Sequence, residues 1–149
     1  MSAKNIWLIA AGGMSLVAGL AHLACIVGGT SWYLFLGAPR AFAYAAGRGE
    51  LQPALFTAGL AIVILAWAAF AFSAAGMLRR LPLTKTALVA ISFVLILRGA
   101  SYFIAPLWSG WRPDLSPTFM FWSSLITLVM GMCFALGAWQ AWPQLSQRN

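Results

Sequence analysis

Arg98 is the only Lys or Arg deep within any of four long apolar segments of this chain, Lys85 standing at the very start of the same segment, and it closes the run Ala87-Leu-Val-Ala-Ile-Ser-Phe-Val-Leu-Ile-Leu-Arg98. A cation at hydrocarbon depth costs roughly 2.5 to 3.5 kcal/mol on insertion scales, so it is expected to face protein or water and to gather polar groups around it. Its guanidinium offers a fixed fork of donors suited to phosphate or carboxylate. Glu50 could pair with it when no ligand is bound and yield to an anionic one. His22, the only histidine, could titrate or donate. Gln52, Thr57, Ser101, Tyr102, Ser124 and Thr127 could complete a polar lining. Together these residues suit an amphiphile, with an anionic or polar head held by the cluster and an apolar tail beside it.

Other chemistries find little support. A single histidine excludes bis-histidine haem and multi-histidine metal sites. Cys25 and Cys133 are the only cysteines. They are expected near opposite membrane faces, too far apart for a disulfide, whose Cα atoms lie within about 7 Å, and read as small packing residues. No metal or cofactor is therefore expected. A His22–Glu50 pair could serve acid–base chemistry, but no nucleophile motif or second intramembrane carboxylate accompanies it.

The elements that must position these residues follow from composition. Hydrophobic residues make up 62% of the 149, charged residues 7%, and mean hydropathy is +0.88. A soluble domain carries about 25% charged residues. The sequence predicts an all-α integral membrane protein, one domain over 1–149, with spans near 6–28, 51–75, 84–105 and 117–142. Thr84 reads as an N-cap, Ser116-Pro117 as N-cap and N1, and Pro143 as a stop. Trp7, Trp139 and Trp142 fall at one level and Trp32, Trp108, Trp111 and Trp122 at the other, like two aromatic belts. The first segment reads as an uncleaved helix, since its apolar run is too long for a signal h-region.

Lys4, Arg79, Arg80, Lys85 and Arg148 lie on the side holding both termini, against Arg40, Arg48 and Arg112 on the other. The positive-inside rule then places both termini in the cytoplasm, in a plasma (inner) membrane. The net charge of +7 reads as headgroup contact rather than nucleic-acid binding. Between spans 1 and 2, Gly37-Ala-Pro39 looks like a helix start and Gly47 or Gly49 like a stop. Arg40, Tyr44 and Arg48 repeat at i, i+4, i+8 on one face. This predicts a short interfacial helix touching lipid headgroups.

In this topology His22, Glu50, Gln52, Thr57, Arg98, Ser101, Tyr102, Ser124 and Thr127 fall in the outer leaflet. His22 shares a face with Ala11, Ser15, Ala18, Cys25 and Gly29, and small faces mark close helix contact in membranes. Each residue also has an ordinary reading. Arg98 and Glu50 could be a structural ion pair, His22 a hydrogen-bonded packing residue, Tyr102 a belt aromatic, and Ser124 and Thr127 donors to helix carbonyls. The chain lacks the early-helix glutamate of small multidrug exporters, the Glu-Arg motif of membrane glutathione-dependent enzymes, the Cys pairs of quinone-linked disulfide oxidoreductases and the acidic pattern of the sterol-isomerase fold. The expected function is a non-enzymatic module that binds a lipid-like amphiphile or serves as an accessory subunit of a larger membrane complex. A small homo-oligomeric transporter or channel subunit, and an enzyme acting on a lipid or isoprenoid, are the alternatives.

Overall fold

In a computed structural model that describes residues 5–104 and 117–146, the chain is all-helical. Helix α1 runs Ile6–Phe35, α2 Arg40–Gly47, α3 Leu51–Ala74, α4 Thr84–Ile104 and α5 Pro117–Ser146. Four of these, α1, α3, α4 and α5, are long and apolar enough to cross a membrane, and the chain is a multi-pass membrane protein. Lys4, Ala105, Trp108, Trp111, Arg112, Asp114, Ser116 and Arg148 lie outside the described residues.

The spanning helices form a ring in the order α1, α3, α4, α5, antiparallel at each step, while α1 and α4 do not touch among the described residues. Glycines set the closest approaches. A Cβ on Gly99 would stand 2.6 Å from the Leu128 backbone, and one on Gly131 2.9 Å from that of Ile96. So α4 and α5 meet backbone to backbone, as small residues permit in membranes. Gly12 sits under the Phe72 ring and Gly19 under Leu65, which fixes the α1–α3 register. Gly137 sits under Leu8, and Asn5 Nδ2 donates to the Gly137 carbonyl at 2.8 Å. The Asn5 side chain also caps α1, accepting from Leu8 N–H at 3.2 Å.

Burial concentrates toward the end that holds the chain termini, called here the termini side. There Leu8, Ala71, Leu88, Ile91, Leu95 and Phe134 join residues from all four spans in one cluster. On the far side, Cys25, Tyr33 and Ala43 form a second, smaller cluster between α1 and α2. Both cysteines are free and buried.

Three boundaries differ from the sequence reading. Helix α1 does not end at Gly28. It breaks at Gly29 (φ 67, ψ −154) and resumes to Phe35. Only glycine adopts that backbone region readily, so the residue read as a stop is a break within the helix. Helix α5 continues through Pro143. So near the helix end the ring removes one backbone bond, to the Trp139 carbonyl, where neighbouring Gln140 and Gln144 are exposed. Thr84 is the first helical residue rather than the cap. Its hydroxyl donates to the Leu81 carbonyl at 2.6 Å and closes the preceding turn.

Candidate functional site

The far side holds two separate polar places. The first is a cavity of about 400 Å³ lined by α1, α2, α3 and the α1–α2 connection. Its walls are chiefly apolar, including Leu36, Pro39, Phe42, Phe56 and Leu60. The aromatic wall is built edge to face. Tyr33 and Phe42 have centroids 5.7 Å apart, and Phe42 and Phe56 5.8 Å apart, the geometry that ring quadrupoles favour. Helix α2 supplies Phe42 by turning its Arg40–Tyr44–Arg48 face to the exterior, where all three residues are exposed.

His22, Thr57, Cys25 and Tyr33 bring the cavity its polar side-chain atoms. His22 Nδ1 lies 2.7 Å from the Ala18 carbonyl oxygen one turn back. A carbonyl can only accept, so Nδ1 carries the hydrogen, and in the neutral ring Nε2 is an acceptor. The Tyr33 hydroxyl donates to the Pro53 carbonyl at 3.4 Å, and the Cys25 thiol to the Trp32 carbonyl at 3.7 Å. The α1–α3 register, Gly12 on Phe72 and Gly19 on Leu65, sets His22 near the level of Ile62. Thr57 lies about five residues, or about 7 Å, nearer the far end.

The second place lies on α4 and α5. Arg98 is exposed as a residue, and its Nη1 donates to the buried Ser124 hydroxyl at 3.3 Å. Gly99 faces Leu128 and Gly131 faces Leu95 and Ile96, so the Arg98 backbone stands opposite Val129. Ser124 is about five residues, or about 7 Å, nearer the far end. The guanidinium therefore climbs along the bundle toward that end, as long basic side chains do in membranes.

The structure does not join these places through Glu50. That carboxylate accepts from Arg48 at 2.6 Å (Nη2) and 2.9 Å (Nε), in an exposed pair. The expected Arg98–Glu50 pairing is replaced by this local one because the chain reverses at Gly49 (φ 77), folding Glu50 back onto the end of α2. Gln52 is exposed. Ser101 donates to the Arg98 carbonyl at 2.6 Å, and Thr127 to the Ser123 carbonyl at 2.7 Å, so both are engaged with their own helices. Tyr102 packs edge-on against Phe103 and Phe121, with centroids 5.5 and 6.3 Å away. Of the sequence-derived candidates, His22 and Thr57 share the cavity, Arg98 bonds to Ser124 and accepts from Ser101 through its carbonyl, Glu50 pairs with Arg48, and the others join none of these groups.

Tyr33, Phe42 and Phe56 were not singled out from the sequence as site residues. Tyr33 lies four residues beyond Gly29, and on an unbroken helical wheel it would share the face of His22 and Cys25, although the helix breaks between them. Continuing the helical phase past Gly29 finds it. Among the described residues no group of three or more His, Cys, Asp or Glu could hold a metal ion. Comparison with protein-family models, with curated proteins and with solved structures finds no match to this chain.

Proposed function

We propose that this multi-pass membrane protein binds a lipid-like amphiphile in the cavity between α1, α2 and α3. The head sits at His22 and Thr57, and the apolar body lies along Leu36, Phe42, Phe56 and Leu60. The observation that carries this reading is a cavity of about 400 Å³ in which the few polar side chains, His22, Thr57, Cys25 and Tyr33, are set into a chiefly apolar, aromatic wall. Small-molecule sites have this size and this sparse polarity, roughly 300–1,000 Å³ with a few convergent polar groups. The Lys and Arg distribution supports cytoplasmic termini, which puts the cavity in the outer leaflet of the plasma membrane. In that setting α2 lies along the interface with Arg40, Tyr44 and Arg48 toward the headgroups. Arg98, braced by Ser124, reaches toward the same surface.

The test is mass spectrometry of what copurifies in mild detergent with the wild type, Leu60→Trp and Arg98→Leu. The expected result is one defined amphiphile that accompanies the wild type and Arg98→Leu and is lost from Leu60→Trp, whose indole fills the cavity. Loss from Arg98→Leu alone would move the site to α4 and α5. Bulk lipid alone in all three samples would overturn the binding reading.

A further inference from the structure

The hydrogen-bonding groups of the cavity that remain unengaged define the head of its occupant. The donors of Tyr33 and Cys25 go to carbonyls, and so does the Nδ1–H of His22. Two side-chain groups are left with no partner among the described residues. His22 Nε2 is an acceptor in the neutral ring. The Thr57 hydroxyl makes no hydrogen bond among the described residues, and it can both donate and accept. No charged residue is among those lining the cavity.

Three kinds of head can be compared against this pair. An anion would leave water to meet no Lys or Arg among the lining residues, which is strongly unfavourable in an apolar site. A ketone or an ether could accept from Thr57 but would leave Nε2 unmatched, and an unmatched buried acceptor carries its desolvation cost. A neutral O–H donates its hydrogen to Nε2, and its oxygen can still accept from a donor such as the Thr57 hydroxyl. The α1–α3 register sets Thr57 about five residues, or about 7 Å, nearer the far end than His22, so Nε2 is the group that reads the hydroxyl hydrogen and Thr57 offers a second polar contact along the bundle.

We infer that the cavity selects an uncharged hydroxyl head, an alcohol or phenol on a hydrocarbon or isoprenoid body, and discriminates against anionic heads. This rests on the amphiphile-binding reading above. It narrows the sequence-based expectation of an anionic or polar head to a neutral one, because Arg98 is not among the residues lining the cavity.

The experiment measures equilibrium binding of three radiolabelled probes to the full chain in nanodiscs: farnesol, farnesyl methyl ether and farnesyl monophosphate. All three share one body and differ only in the head. Farnesol is expected to bind tightest. The ether should be weaker by about tenfold, the equivalent of one hydrogen bond of about 1.4 kcal/mol, and the monophosphate weaker still. His22→Phe should narrow the gap between alcohol and ether, Thr57→Val, of nearly the same volume, should leave that gap in place, and Leu60→Trp should abolish binding of both. Equal affinity for alcohol and ether, with Leu60→Trp still abolishing it, would overturn hydroxyl selection and leave the cavity reading in place. Tighter binding of the monophosphate would also overturn it. Binding of no probe, or binding indifferent to Leu60→Trp, would overturn both. The comparison of probes on the wild type needs no variant to fold.

Discussion

The two ends of the bundle are built differently. On the termini side, Leu8, Ala71, Leu88, Leu95 and Phe134 bring all four spans into one cluster, and Leu8 lies over Gly137. On the far side, the second cluster draws only on α1 and α2 for its buried members, and α4 and α5 carry their own polar bond between Arg98 and Ser124. Lipid tails are as apolar as leucine, so burial of apolar area drives little helix association in a membrane. Close packing and hydrogen bonds do that instead. A cluster shared by all four spans lies on one side and a cavity on the other, while backbone-to-backbone glycine contacts join α4 and α5 from Gly131 to Gly99.

That contrast can be broken most severely at Gly99. A valine there would press its Cβ against the Leu128 backbone, 2.6 Å away, and α4 and α5 would have to separate. Gly99→Val is expected to lower unfolding free energy by about 3 kcal/mol, read by denaturant titration in micelles. A loss below about 1 kcal/mol would show that this contact is not tight. Phe134→Ala removes the largest fully buried side chain. Without the water-transfer contribution of a soluble core, mainly the cavity remains, so about 2 kcal/mol is expected by the same titration. Leu60→Trp should sharpen the comparison from the other end. Amphiphile binding should vanish while stability stays within about 0.5 kcal/mol, as for substitutions outside a core. Last, Arg48→Ala breaks an ion pair whose side chains are 63% and 46% exposed. Such pairs contribute about 0–1 kcal/mol, so melting should barely move. A large drop would mean that the pair holds α2 in place.

The spanning helices were legible in the sequence because apolar runs of about 20 residues have few alternatives. Helix α2 was legible for a different reason. Pro39 and Gly47 bracket a run whose basic residues and Tyr44 fall on one face, and that face is exposed. The site was legible only in parts. Helical phase brings His22 onto the face shared with buried Ala11, Ser15 and Cys25. Opposite charges in a sequence do not state whom they will meet, and Glu50 met Arg48, two residues away, through the reversal at Gly49. Hydrocarbon depth predicts that Arg98 seeks polar company, yet not that a lone serine one helix away supplies it. Tyr33 escaped notice because a glycine pair looks like an ending whether the helix stops there or merely breaks.

The break at Gly29 also bears on bilayer thickness. Between Ile6 and Gly28 the helix is continuous, about 34 Å at about 1.5 Å per residue. At Gly29 the backbone leaves helical φ/ψ, and non-helical backbone is tolerated at hydrocarbon depth only where protein or water covers it. An apolar layer that ends near Gly29 suits a typical core of about 30 Å. A markedly thicker bilayer would draw the interrupted turn into oil. Stability should then fall as acyl chains lengthen beyond that limit, so α1 carries an upper bound on the membranes this chain can inhabit.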